Sequence, residues 1–107
     1  MEENNFVLYA TFQPKEGNEK KVLEIARESG RYLNNKDGLI SYQLLKPDNI
    51  RQPIVFIANW KSKEHFEHAM ASEDVKENHS GEKIKIAQSL MEKVTANNYN
   101  LVELFHS

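Results

Sequence analysis

The sequence predicts an α+β fold, a ferredoxin-like βαββαβ plait whose four-stranded antiparallel sheet carries its helices on one face. Three observations predict it. Short apolar-rich runs over 6–13, 39–46, 53–60 and 99–105 have strand length and the two-residue period of strands. Between them, stretches over 18–34 and from Ser62 onward change to the spacing of amphipathic helices. The 107 residues suffice for one domain and are too few for two, so the elements share a single core over about 6–105.

In the first strand Phe6, Leu8, Ala10 and Phe12 point one way and Val7, Tyr9 and Thr11 the other. Pro14 has no N–H for a central ladder, and Pro14-Lys15-Glu16-Gly17 has turn chemistry. Asn18 suits a helix N-cap and Glu19 the positive end of the helix behind it. Val22, Ile25, Ala26, Ser29 and Leu33 then form one buried face, and Lys20, Lys21, Glu24, Arg27, Glu28 and Arg31 a solvated one. Asn34 to Gly38 ends the helix. The second and third strands, Leu39–Lys46 and Pro53–Trp60, are joined by a hairpin connection longer than the tightest types. Ser62 caps the next helix, with His65, Phe66, Ala69 and Met70 on its apolar side. The stretch 72–81 is polar and ambiguous. A third helical pattern over 82–94 places Ile84, Ala87, Leu90, Met91 and Val94 together, Asn97-Asn98 breaks it, and 99–105 reads as the last strand.

Composition narrows the function. Hydrophobic residues at 39% and charged residues at 28% are ordinary for a globular protein, and a net charge of −2 argues against nucleic acid or an anionic membrane as partner. With no cysteine there is no disulfide, thiolate chemistry or cysteine-bound metal. No apolar run approaches the ~20 residues of a membrane span, and the start lacks the layout of a signal peptide, so the expected location is cytoplasmic and no membrane is expected.

A one-sided antiparallel sheet alternates apolar and polar residues. Here Ile54 to Ala58 fill both faces, Leu39 and Leu45 oppose Ile40, Tyr42 and Leu44, and Val102 and Leu104 oppose Leu101 and Phe105. Helices cover one face only. Each large aliphatic side chain left wet forgoes roughly 1.5–3 kcal/mol. A homodimer pairing two such faces is the expected solution, with a ligand groove or plain surface hydrophobicity as the alternatives.

Several strings, in order, resemble the antibiotic biosynthesis monooxygenase (ABM) superfamily: Pro14-Lys15-Glu16-Gly17, Asp37-Gly38-Leu39-Ile40-Ser41-Tyr42, Val55 through Glu64, and Ala71-Ser72-Glu73-Asp74-Val75-Lys76. The resemblance spans nearly the whole chain. It implies a dimeric αβ barrel with two sheets face to face, a cavity between sheet and helices, and a monooxygenase that needs no metal, flavin or haem, hence no cofactor. It also implies a small-molecule substrate of aromatic or quinol type. Residue carry-over is partial. Haem-degrading relatives use an asparagine, a tryptophan and a histidine at positions that are Ala10, Ala69 and His79 here, which disfavours haem degradation. Quinol-oxidising relatives accompany the tryptophan matching Trp60 with an asparagine and a tyrosine, which are Phe56 and Phe66 here. A non-catalytic binder on the same dimeric scaffold is therefore the competing expectation.

The candidate catalytic residue is His79, a base for an acidic phenol or enol, against the reading of an exposed loop histidine in a polar stretch. Asp74 is the other polar candidate after the second helix. Trp60, Phe56, Phe66, Tyr42, Met70 and Phe12 are the candidate substrate-binding residues, although core packing explains the same residue types. His65 and His68 are three residues apart, with Glu64 four before His68, a helical spacing that could hold a metal, but no further ligand is indicated and no metal site is expected. No glycine-rich phosphate loop, nucleophile elbow or carboxylate pair is visible.

Overall fold

The structure, a computed structural model, describes residues 5–49, 51–78 and 81–105. The elements run β1 (Phe6–Pro14), α1 (Glu19–Leu33), β2 (Leu39–Leu45), β3 (Ile54–Trp60), α2 (Lys63–Met70), α3 (Glu73–Asn78), α4 (Gly81–Ser89) and β4 (Met91–Asn100). The strands form one antiparallel sheet in the order β2-β3-β1-β4. This is the expected α+β plait, with its second helical part divided into three short helices.

Strand β3 buries every second residue: Ile54, Phe56, Ala58 and Trp60 face the helices. Opposite them on β1 stand Phe12, Ala10, Leu8 and Phe6. Val22, Ala26, Gly30 and Leu33 of α1 close over this layer, and Ala69 of α2 and Val75 of α3 complete it. Val75 is 2% exposed, so Glu73–Asn78, within the polar stretch that the sequence leaves ambiguous, is a helix pinned by its one large aliphatic residue. Ser62 caps α2 as expected, its Oγ accepting the His65 N–H at 3.2 Å. Asn18 occupies the N-cap position of α1 without a side-chain cap; Glu19 instead turns back to accept the Gly17 N–H at 3.2 Å.

The end of the chain differs from the sequence expectation. The helical pattern over 82–94 stops at Ser89, and Met91–Val94 belong to β4. Asn97 and Asn98, expected to break a helix, sit mid-strand opposite Tyr9 and Leu8. The cause is the far edge of β1, whose backbone N–H and C=O groups need a partner along its full length. Residues 91–100 supply it, and Lys15 N–H adds a bond to the Leu90 carbonyl at 2.9 Å. Leu101–Phe105, expected as the last strand, carry no strand; Val102, Leu104 and Phe105 are 94%, 65% and 82% exposed.

The outer sheet face also has a different membership. A register shift between Leu39 and Ser41 puts Leu39 opposite Trp60, on the helix side, and leaves Ile40 exposed. Leu39, Val102 and Leu104 are thus not outer-face residues. The apolar groups there are Val7, Tyr9, Val55, Ile57, Leu45 and Tyr99, with Tyr9 and Tyr99 edge to face at 6.3 Å. Polar groups are interleaved: the Thr11 and Thr95 hydroxyls bond each other, and Asn59 Nδ2 donates to Ser41 Oγ at 3.1 Å. No helix among the described residues is long and apolar enough to cross a membrane.

Candidate functional site

A half-open cavity of about 410 Å³ lies between α1 and the β2–β3 half of the sheet. Its floor is Tyr42, Leu44 and Phe56, its wall Leu23 and Ala26, and its rim Arg27, Arg31 and Lys46. The volume falls within the ~300–1,000 Å³ of small-molecule pockets. Tyr42 and Phe56 are adjacent on neighbouring strands, their rings 5.4 Å apart and tilted by 34°. Helix α1 passes close above them because residue 30 is glycine: a Cβ there would lie 3.1 Å from Tyr42 Cε1 and 3.4 Å from Phe56 Cε1.

The other candidate binding residues are elsewhere. Trp60 is fully buried, with the Phe66 ring edge-on at 6.0 Å and Phe66 in turn 5.3 Å from Phe6. Met70 packs against the same cluster under α2, and Phe12 is half-buried at the opposite end of β1. All six candidates belong to or pack against one hydrophobic core; the cavity is lined by Tyr42 and Phe56 and not by Trp60, Phe66, Met70 or Phe12. One feature of that core is not explained by packing. Trp60 Nε1 is buried and has no hydrogen-bond partner among the described residues, and a buried unsatisfied donor costs ~1–3 kcal/mol. The candidate base, His79, lies outside the described residues. Ala10 and Ala69, which stand at the haem-degrading positions, are both core residues.

His65 has a structural engagement. Its Nδ1 meets Ser62 Oγ at 2.7 Å, Nε2 stands 3.8 Å from Asp37 Oδ2, and its ring lies against Gly38. His68 is exposed, and no group of three or more metal-ligating side chains occurs among the described residues. Asp74 is held by Lys36, whose Nζ donates to both carboxylate oxygens at 2.9 Å. That ammonium, with Ser72 beside it, keeps the Asp74 carboxyl below its ordinary value, as expected of an ion-pair acceptor and not of a base. On α4, Lys83 donates to the Tyr32 hydroxyl at 2.9 Å, and this bond raises its pKa.

Sequence reasoning assigned Arg27 and Arg31 to a solvated helix face and did not single out Lys46 or Gly30. Gly30 was the available signal: a glycine inside an amphipathic helix costs ~1 kcal/mol relative to alanine and so marks a close approach.

The architecture is that of a ferredoxin-like α+β protein holding a half-open cavity between its sheet and first helix. The chain belongs to the antibiotic biosynthesis monooxygenase family, whose profile matches residues 5–81. Among solved structures it is similar to SnoaB, a cofactor-independent oxygenase from Streptomyces nogalater, with 12% identity, TM-score 0.77, and coverage of 98% of this chain and 100% of that one. Protein SO0527 from Shewanella oneidensis is similar at 16% identity and TM-score 0.76, covering 92% and 91% of the two chains. PA3566 from Pseudomonas aeruginosa is similar at 14% identity and TM-score 0.77, covering 96% and 99%. No curated protein matches the chain.

Proposed function

We propose that this protein is a cofactor-independent monooxygenase of a small aromatic, quinol-type molecule and works as a homodimer. The observation that carries the reading is the cavity between α1 and the β2–β3 half of the sheet, floored by the adjacent Tyr42 and Phe56 rings and of a size for one small aromatic molecule. Family membership and the likeness to an oxygenase support it. The chemistry needs no bound group. Loss of a phenolic proton, for which His79 is the proposed base, leaves a resonance-stabilised anion. A ring carbon of that anion gives its electron pair to dioxygen, forming a hydroperoxide. Loss of water then leaves a carbonyl at that carbon, so one oxygen atom stays on the product, the other leaves as water, and the substrate supplies all the electrons. The homodimer is supported by the outer sheet face, where Val7, Val55 and Ile57 sit half-buried beside exposed Tyr9, Leu45 and Tyr99.

Oxygen consumption with a panel of hydroquinones tests the reading. Turnover should occur without added metal or flavin and fall by about a hundredfold or more in His79→Ala. A second reading, a non-catalytic binder, is favoured by the rings of Phe56 and Phe66. Both are packed against neighbouring aromatics where quinol-oxidising relatives place polar groups. Saturable binding of hydroquinones with no oxygen uptake selects it.

A further inference from the structure

We propose that the cavity between α1 and the β2–β3 half of the sheet binds an aromatic carboxylate, with Arg31, Lys46 and Arg27 as its counter-charges. The inference rests on the small-molecule reading above and names the charge of the ligand. The cavity's lining contains three cations and no acid, although the chain as a whole carries 16 acidic residues against 14 basic ones. Arg27 and Arg31 are four residues apart and so stand one turn above the other on α1, where like charges repel. Across the opening, Lys46 follows β2 and adds a third positive charge.

Among the described residues, neither Arg31 nor Lys46 has an ion-pair partner, and Arg27 has only an exposed contact with Glu24 at 3.3 Å. Three cations at the mouth of an apolar floor are complementary to a planar molecule with an anionic end. Its ring would lie on Tyr42 and Phe56, and its carboxylate would meet a guanidinium fork, which donates to both oxygens at once. Solvated arginines merely covering an apolar wall with their stems are the alternative, and this alternative predicts no preference for charge.

A matched pair of probes decides between them: naphthalene carboxylate and its neutral carboxamide, titrated into the full chain by calorimetry and amide NMR. The carboxylate should bind about tenfold or more tightly than the carboxamide, the scale of one charge-assisted bond. It should also shift the Tyr42, Leu44 and Phe56 amides and weaken with added salt. Arg31→Gln combined with Lys46→Gln, both on exposed side chains, should abolish the preference while the fold is unchanged by circular dichroism. Equal binding of both probes at these amides overturns the anion inference and leaves the small-molecule reading standing. Shifts confined to other residues, or none with either probe, overturn the inference as well. Whether the protein is an oxygenase is judged separately, by oxygen uptake.

Discussion

Gly30 and Tyr42 meet where α1 crosses the sheet, with so little room that a methyl group on residue 30 would stand 3.1 Å and 3.3 Å from Cε1 and Cζ of the tyrosine ring. Two effects oppose each other in Gly30→Ala. Alanine gains ~1 kcal/mol of helix propensity, and the crowded ring resists by a similar amount. Tyr42 is half-exposed and borders the cavity, so it can yield in that direction. Thermal unfolding of Gly30→Ala should therefore remain within about 1 kcal/mol of the parent. Binding of naphthalene carboxylate should weaken, because the displaced ring occupies the cavity. Unchanged binding would show that Tyr42 does not floor the ligand site.

Gly38 is constrained twice. Its φ is +89°, a region that strains residues with a Cβ, and an added Cβ would fall 2.3 Å from His65 Cγ and 2.4 Å from His65 Cβ. Gly38→Ala should destabilise by about 2–4 kcal/mol, the sum of the left-handed strain and the overpacking. Because the His65 Cβ is itself part of the clash, adding His65→Ala should not restore stability. Adding His65→Gly should recover part of it, despite the intrinsic cost of glycine in a helix. Urea unfolding of the three variants reads this out, and full rescue by His65→Ala would contradict the geometry.

Asp74 ties the α1–β2 turn to α3 through Lys36, and the ion pair depresses its carboxyl below the ordinary 3.8. Between the lowered folded value and the unfolded value, the folded state binds fewer protons than the unfolded chain, so folding is favoured by the charged form. The contribution is fully present above the unfolded value and disappears as pH falls through the lower folded value. Melting curves of the parent and Asp74→Asn should differ from about pH 5 upward and converge in stronger acid. A difference that persists unchanged below the folded value would assign the effect to something other than this pair.

Ile57 lies on the outer sheet face between Tyr9 of β1 and Gln43 of β2. If two copies pair through this face, Ile57→Lys buries an unpaired charge at its middle, a change costing several kcal/mol in the assembly and little in a single copy. Light scattering should report two copies for the parent and one for the variant, with the circular dichroism spectrum retained. A parent that is a single copy at micromolar concentration removes the homodimer.

Much of the framework is legible from local pattern. The alternation in β1 and β3, the apolar face of α1 and the Ser62 cap follow from side-chain periodicity and capping chemistry within a few residues. The candidate site is less legible. Of the six candidate binding residues, Tyr42 and Phe56 border the cavity, whereas Trp60, Phe66, Met70 and Phe12 pack in or against the core without lining it. An aromatic residue bordering a cavity and one filling a core have the same signature, since both are apolar and inward-facing.

What the chain's own chemistry determines is the order of elements and the family strings that go with it, because strand alternation, helix spacing and turn residues act over short distances. Tertiary structure alone decides three things: that Met91–Asn100 is a strand, that the shift at Ile40 turns Leu39 toward the helices, and that Arg31 and Lys46 share one cavity mouth. In each case the deciding partner is remote in sequence. The spacing of Ile84, Ala87, Leu90, Met91 and Val94 suits a helix, and only the unpaired edge of β1 draws its last residues into the sheet.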